Sequence, residues 1–200
     1  MLEILHGHQE KIPAVFLILA TTIAVLILCF GGEVTASWVQ AVGSVAAIFS
    51  AIWLHEKLQR DTRKRIATSV ARAIAAEIFG IMQRAETAKI ADTYRGLATY
   101  IRANSVTPRQ WTTFTPEAHY TAVFDGNVAN LGELPTELLS DVTVYYALLK
   151  GTLDTLRNDA KTEIHLFDPE FIAKSADQRA YEIDQLLSDG QKLIERLHNV

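Results

Sequence analysis

Few positions in this chain bring together side chains that could do chemistry. His6 and His8 flank Gly7, but two imidazoles fall short of the three or four protein ligands that a zinc site needs. His119 and Asp125 could form an acid–base pair, yet no nucleophile, metal-ligand set or phosphate loop accompanies them. Cys29 is the single cysteine, so an intrachain disulfide is excluded. These residues predict no catalytic group, no metal site and no cofactor. The chemistry that remains is of two kinds. Gln40, Gly43, Ser44, Ala47 and Ala51 recur at helical spacing inside an uncharged stretch. Lys57, Arg60, Arg63, Lys64 and Arg65 follow it directly. The first set suits contact between helices, and the second suits a surface of phosphate headgroups.

The elements that position these sets are two apolar segments. Residues 12–30 hold nineteen residues without a charge, close to the ~20 that cross a ~30 Å hydrocarbon core. Pro13 sits in the first turn, where a missing N–H costs nothing. A cleavable leader ending near Ala36 is the competing reading. The acidic leader, the length of the apolar run and the second apolar segment count against it. Gly31 and Gly32 end the first helix, and Ser37 is the expected N-cap of the second. Residues 38–54 form the second span, with Trp38 and Trp53 near its two ends. So short a turn between them requires an antiparallel hairpin. Six basic and two acidic side chains in residues 55–72 place that end in the cytoplasm, and both termini with it.

The face carrying Gln40, Gly43, Ser44, Ala47 and Ala51 admits three readings. It packs on the first span, it packs on copies of itself, or it lines a pore with Gln40 and Ser44. Small residues four apart allow close helix approach, and a glutamine in lipid needs a polar partner.

Residues 73–200 are expected to form a cytoplasmic helical domain, beyond a hairpin at 1–54 and a basic juxtamembrane helix at 55–72. Ile66, Val70, Ile74, Ile78, Ile81, Ala85 and Ala88 mark a core stripe. Tyr94, Leu97 and Ile101 extend it, predicting one helix that continues to about Ala103. Trp111 and Phe114 are expected anchors under a loop. Thr115-Pro116-Glu117 reads as the start of a helix reaching Phe124, and Asp125-Gly126-Asn127 as a turn. Leu134-Pro135-Thr136-Glu137 starts the next helix, whose adjacent Tyr145 and Tyr146 are expected to diverge, one of them to a surface or a subunit contact. Asp168-Pro169-Glu170 starts another, and Ser175 with Gln178 fits a capping box. The fold class is all-α. Twelve basic and eighteen acidic residues in 73–200 argue against general nucleic-acid binding.

The segment Tyr120 to Gly151 resembles a cytoplasmic module in small bacterial and prophage two-span membrane proteins. Phe124, Asp125, Asn127, Leu131, Gly132, Leu134 and Pro135 carry the likeness, with Trp38, Gln40 and Gly43 in the second span. The resemblance implies an inner-membrane protein, and implies membrane effectors of anti-phage defence operons under control of a partner protein or nucleotide-derived ligand. Physically, the Asp-Gly-Asn turn with Gly132 and Pro135 is expected to fold one tight helix-to-helix corner, where Asp125 and Asn127 can satisfy free backbone N–H groups. The resulting expectation is a homo-oligomeric effector or channel-like protein in a lipid bilayer. The alternative is a non-conducting anchor that recruits a cytoplasmic partner.

Overall fold

The computed structural model describes Thr21, Val25, residues 35–111, Pro116 and residues 119–200, with backbone only for 35–39. The expected first span therefore lies outside the described residues except for Thr21 and Val25, both helical. His6, His8, Cys29 and Phe114 also lie outside them.

Every named element is helical. They are α1 (Thr35–Thr87), α2 (Ile90–Asn104), α3 (Ala122–Asn127), α4 (Thr136–Asp159) and α5 (Pro169–Leu197), with 3₁₀ segments Val128–Glu133 and Ile164–Leu166. Among the described residues there is no strand; Gln110 and Glu163 form an isolated antiparallel bridge. The fold is all-α. The chain divides into two compact units, Met1–Thr62 and Arg63–Val200, so the division falls within the basic stretch. α1 starts at Thr35, which puts Ser37 inside the helix and not at its cap.

In the second unit the core stripe of α1 is buried through Val70, Ala71, Ile74, Ile78 and Ile81. It packs with Leu134, Leu138, Val142, Tyr146 and Leu149 around α4, and with Leu193, Ile194 and Leu197 of α5. A second cluster joins Tyr94, Ala98 and Ile101 of α2 to Ile172, Ala173, Ala176 and Ala180 of α5, with Trp111 and Ile164. Three alanines at steps of three and four let α2 approach α5 closely, and Arg95–Asp184 and Arg102–Asp177 pairs flank the seam. Asp159 is buried where these elements meet. It accepts from the Tyr94 hydroxyl at 3.1 Å and from Arg179 Nε at 3.3 Å. Those two donors are what make a buried carboxylate tolerable.

Several expectations fail here, each for a physical reason. The helix expected to reach Ala103 ends at Thr87, because Lys89 adopts a left-handed conformation (φ 49, ψ 43) before α2 begins. A non-glycine residue there costs roughly 1–2 kcal/mol. Burial of Tyr94, Ala98 and Ile101 on α5 offsets it, and no local signal in Ala88-Lys89 announces it. Ala88 itself is exposed. Tyr145 and Tyr146 are both buried, with rings edge to face at 5.7 Å, so neither is a surface group. Ser175 and Gln178 lie inside α5, where Gln178 donates to Glu182 at 3.0 Å. The cap and proline starts do appear: Asp168 accepts from Phe171 N at 2.9 Å ahead of Pro169, and Pro135 precedes α4.

Gly80 lies within α1 and Gly96 within α2, and neither is a close-approach position. A Cβ on Gly96 would meet nothing within 4 Å, and one on Gly80 only the tip of Arg84. Gly190 is the close-approach position, where a Cβ would lie 2.8 Å from Tyr145 Oη, 3.0 Å from Met82 Sδ and 3.2 Å from Ile78 Cγ2. Gly190→Ala should therefore lower stability by about 1–3 kcal/mol through overpacking. Gly96→Ala should raise it by up to ~1 kcal/mol, as in any open helix interior. Thermal unfolding of the full chain in mild detergent distinguishes the two, and equal effects would show that Gly190 is not tightly packed.

Candidate functional site

Two regions place the residues singled out above. The first is the stretch of α1 in the first unit. Gln40, Gly43, Ser44, Ala47 and Ala51 are all exposed, and a Cβ on Gly43 would meet nothing within 4 Å. The Ser44 hydroxyl donates to its own helix, to Gln40 O at 2.8 Å. Val45, Ile48, Phe49, Ile52, Trp53 and Leu54 are also exposed, the first five on the side of the helix opposite Gln40 and Ala47 and Leu54 apart from them. Covering a side chain of that size is worth ~1.5–3 kcal/mol, so six of them leave a deficit on the order of 10 kcal/mol in water. One helix among the described residues, from Gln40 onward, is long and apolar enough to cross a membrane.

Lys57, Arg60, Arg63, Lys64 and Arg65 are exposed on the continuing helix. Lys57 Nζ lies 5.2 Å over the Trp53 ring, and Arg60 pairs with Glu56 at 3.2 Å. Both members of that pair are solvated, so it contributes ~0.5 kcal/mol at most.

The second region is the corner around α3. Asp125-Gly126-Asn127 was expected as a turn; the three residues form the last part of α3. Thr115 and Glu117 of the expected helix start lie outside the described residues; Pro116 is not helical, His119–Thr121 form a turn, and α3 begins at Ala122. Nor do Asp125 and Asn127 cap free backbone groups. Asp125 accepts from Thr121 Oγ1 at 2.8 Å and from Lys150 Nζ at 2.7 Å, while Asn127 Nδ2 donates to Val123 O at 2.8 Å. Gly132 lies in the 3₁₀ segment with open space around its Cα, and Pro135 stands at the head of α4.

The capping role belongs to Glu77 of α1. Its carboxylate accepts from Val123 N at 2.6 Å, Phe124 N at 3.0 Å and the Tyr146 hydroxyl at 2.6 Å. A carboxylate at a helix start satisfies orphan N–H groups and suits the positive end of the peptide dipoles. Phe124 stacks on Tyr146 at 4.0 Å and 13°. Lys150 Nζ lies 5.3 Å over the Phe124 ring, and Arg84 lies 4.8 Å over Tyr120. The sequence carried one signal for Glu77: a carboxylate next to Ile78 in the flank of a core stripe. What it contacts could not be read without the fold.

Electrostatics follow this geometry. Hydrogen bonds from Lys150 and Thr121 hold the Asp125 carboxyl below the ordinary carboxylate range. Burial, then the bond to Glu77, pushes the Tyr146 phenol up. Burial first and the nearby carboxylates second do the same to Tyr94 and Tyr145. His119 is exposed, and among the described residues no hydrogen bond joins it to Asp125. No group of three or more His, Cys, Asp or Glu stands where it could hold a metal ion, among the described residues.

Comparison with protein-family models, with curated proteins and with solved structures finds no match to this chain.

Glu77→Ala should cost about 3 kcal/mol, because Phe124 N–H and the Tyr146 hydroxyl lose their acceptor under partial cover. Tyr146→Phe should cost about 1 kcal/mol, and the double variant less than the sum, as for groups in one network. Urea unfolding of the full chain measures all three; strict additivity would mean the bonds do not couple. The three raised phenols also set an alkaline limit. The folded state holds their protons more tightly than the unfolded chain, so this stability is complete below pH ~10 and falls as pH rises above it. The melting temperature should drop as pH rises from 10 to 12, and drop less in Tyr146→Phe.

Proposed function

We propose that the chain is an oligomeric integral membrane protein, an effector or channel-like protein controlled through its helical domain. The single observation that supports it most is the uncharged, exposed apolar stretch of α1 that runs directly into an exposed basic cluster. Lipid is the cover that such a stretch requires, and the basic cluster gives its orientation, with the Arg63–Val200 unit in the cytoplasm. On this reading residues 12–30 form the first span of a hairpin, and the membrane is the bacterial inner membrane that the resemblance implies. A role in anti-phage defence is the narrowest form of the proposal and rests on that resemblance alone. The open face of Gly43, Ala47 and Ala51 supports contact between copies, since small residues admit close backbones.

A specific observation favours a second reading, a non-conducting anchor for a cytoplasmic partner. The Ser44 hydroxyl is spent on the carbonyl of Gln40, which leaves Gln40 as the main polar side chain on that face.

The full chain in mild detergent should have a protein mass that is a multiple of 22.2 kDa by light scattering. A monomer would sink the oligomeric proposal. In proteoliposomes the channel reading expects an ion leak that Gln40→Leu with Ser44→Ala lowers about tenfold, equivalent to ~1.4 kcal/mol. An oligomer that passes no ions favours the anchor. Exchange of residues 12–54 for an unrelated hairpin should then leave partner recruitment intact.

A further inference from the structure

The helices of the Arg63–Val200 unit differ in the charge of their outward faces. α2 exposes Asp92, Arg95 and Arg102, and α5 exposes Lys174, Asp177, Lys192 and Glu195. α4 departs from this pattern. Its exposed Ser140, Val144, Ala147, Leu148, Gly151 and Asn158 fall within about 100° of the helix circumference. From Ser140 to Asn158 that arc holds no charge over about five turns, ~27 Å at 1.5 Å per residue. Val144 and Leu148 are each 56% exposed near its middle. Contiguous apolar surface of this kind marks contact between proteins.

The charges bordering the arc are already paired within the chain. Asp141 pairs with Arg196, Lys150 with Asp125 and Asp154 with Arg157. Gly151 lies on the same face. A glycine inside a helix costs about 0.5–1 kcal/mol against alanine, and a Cβ there would meet nothing within 4 Å. Nothing inside the chain requires that Cβ to be missing. A helix crossing over Ala147 and Gly151 would use its absence, since axes approach most closely where side chains are smallest.

Charge decides what covers this face. Residues 73–200 carry twelve basic and eighteen acidic side chains. A foreign partner drawn to so acidic a unit would be basic, and would dock on the carboxylates of α5 instead. A second copy is equally acidic, and like charges set against each other cost several kcal/mol. It approaches only where carboxylates are absent, and the outward face of α4 is such a place.

We propose that this face of α4 is where the helical units of two copies meet, with Val144 and Leu148 of each against Ala147 and Gly151 of the other. The inference rests on the oligomeric reading above and names a contact for it in the helical unit. One helix face is smaller than the ~800 Å² per partner of a standard interface, so the contact is weak by itself. Anchoring in one bilayer makes it sufficient, because tethered surfaces meet at a high effective concentration.

The test uses the full chain in proteoliposomes, with Cys29→Ser to remove its one native thiol and Ala147→Cys to place a thiol on the face. A short bis-maleimide should link two copies in at least fivefold higher yield than with Ser188→Cys, whose thiol sits on the exposed side of α5. Adding Val144→Glu and Leu148→Glu should lower the yield at least fivefold. Both positions are more than half exposed, and circular dichroism and melting temperature check that the unit stays folded. Should the double variant unfold, Leu148→Gln decides, with at least a twofold loss expected. Light scattering of the uncrosslinked chain in mild detergent is read beside these. An oligomer whose Ala147 thiol links no better than the Ser188 thiol overturns the α4 contact and leaves the oligomer standing. A monomer overturns both. Unchanged yield in the glutamate variant, or linkage to a different protein in the expressing membranes with none to a second copy, also overturns the proposal.

Discussion

One carboxylate fixes how α1, α3 and α4 meet. A helix of six residues cannot persist by its own hydrogen bonds, since nucleation is unfavourable and most of its N–H groups lack internal partners. α3 exists because Glu77 of α1 receives two of those N–H groups and the Tyr146 hydroxyl of α4 as well. The stack of Phe124 on Tyr146 closes the same triangle from its apolar side. Removing any one member exposes the others, so the corner behaves as a unit. The consequence extends to Lys150, whose ammonium is fixed by Phe124 and Asp125, both of them α3 residues. The position of a surface cation thus depends on a half-buried acid three elements away in the chain.

The second constraint is the seam between α2 and α5. It is built of alanines and bordered by charge pairs, so backbones approach closely and slippage would separate opposite charges. To reach this seam the chain must leave the direction of α1, and it does so at Lys89 without a glycine. The strain of a left-handed lysine is small beside the burial of Tyr94, Ala98 and Ile101. Gly190 shows the complementary device on the other side of α5. There a missing Cβ admits Tyr145, Met82 and Ile78 together, which is how two adjacent tyrosines on α4 can both be buried.

Legibility followed the range of the interactions. The all-α class, the α4 and α5 starts at Pro135 and Asp168-Pro169, and the core stripe from Val70 to Ile81 were readable. Periodicity, proline and caps act over a few residues. The break at Lys89 was not readable, because Ala-Lys is a good helix sequence and the contact that bends it lies on α5. Asp125-Gly126-Asn127 misled for the opposite reason. Its local turn chemistry is real, but a remote acceptor, Glu77, and stacking on Tyr146 favour helix over turn. Turn chemistry at Asp125 and Asn127 suggested that they would satisfy free backbone N–H groups, whereas Glu77 of α1 accepts from Val123 and Phe124. Gln40, Gly43, Ser44, Ala47 and Ala51 do share an exposed face of α1. Exposure by itself does not choose between their three readings, since the same face would meet a span, a copy or water.

These contacts also determine how a displacement at the α3 corner could travel. α2 is separated from α1 by a left-handed residue, so no continuous backbone hydrogen-bond ladder links them. A shift of Lys150 would instead move Phe124 and Asp125, then the N–H groups held by Glu77, and so act on α1 in its C-terminal part. The core residues Ile74 and Ile78 flank Glu77, so the same displacement would be felt as packing as well as hydrogen bonding. Coupling of this kind needs two arrangements of the corner that differ by only a few kcal/mol. A small helix, held by three hydrogen bonds and one ring stack, is the part of the molecule whose cohesion falls in that range.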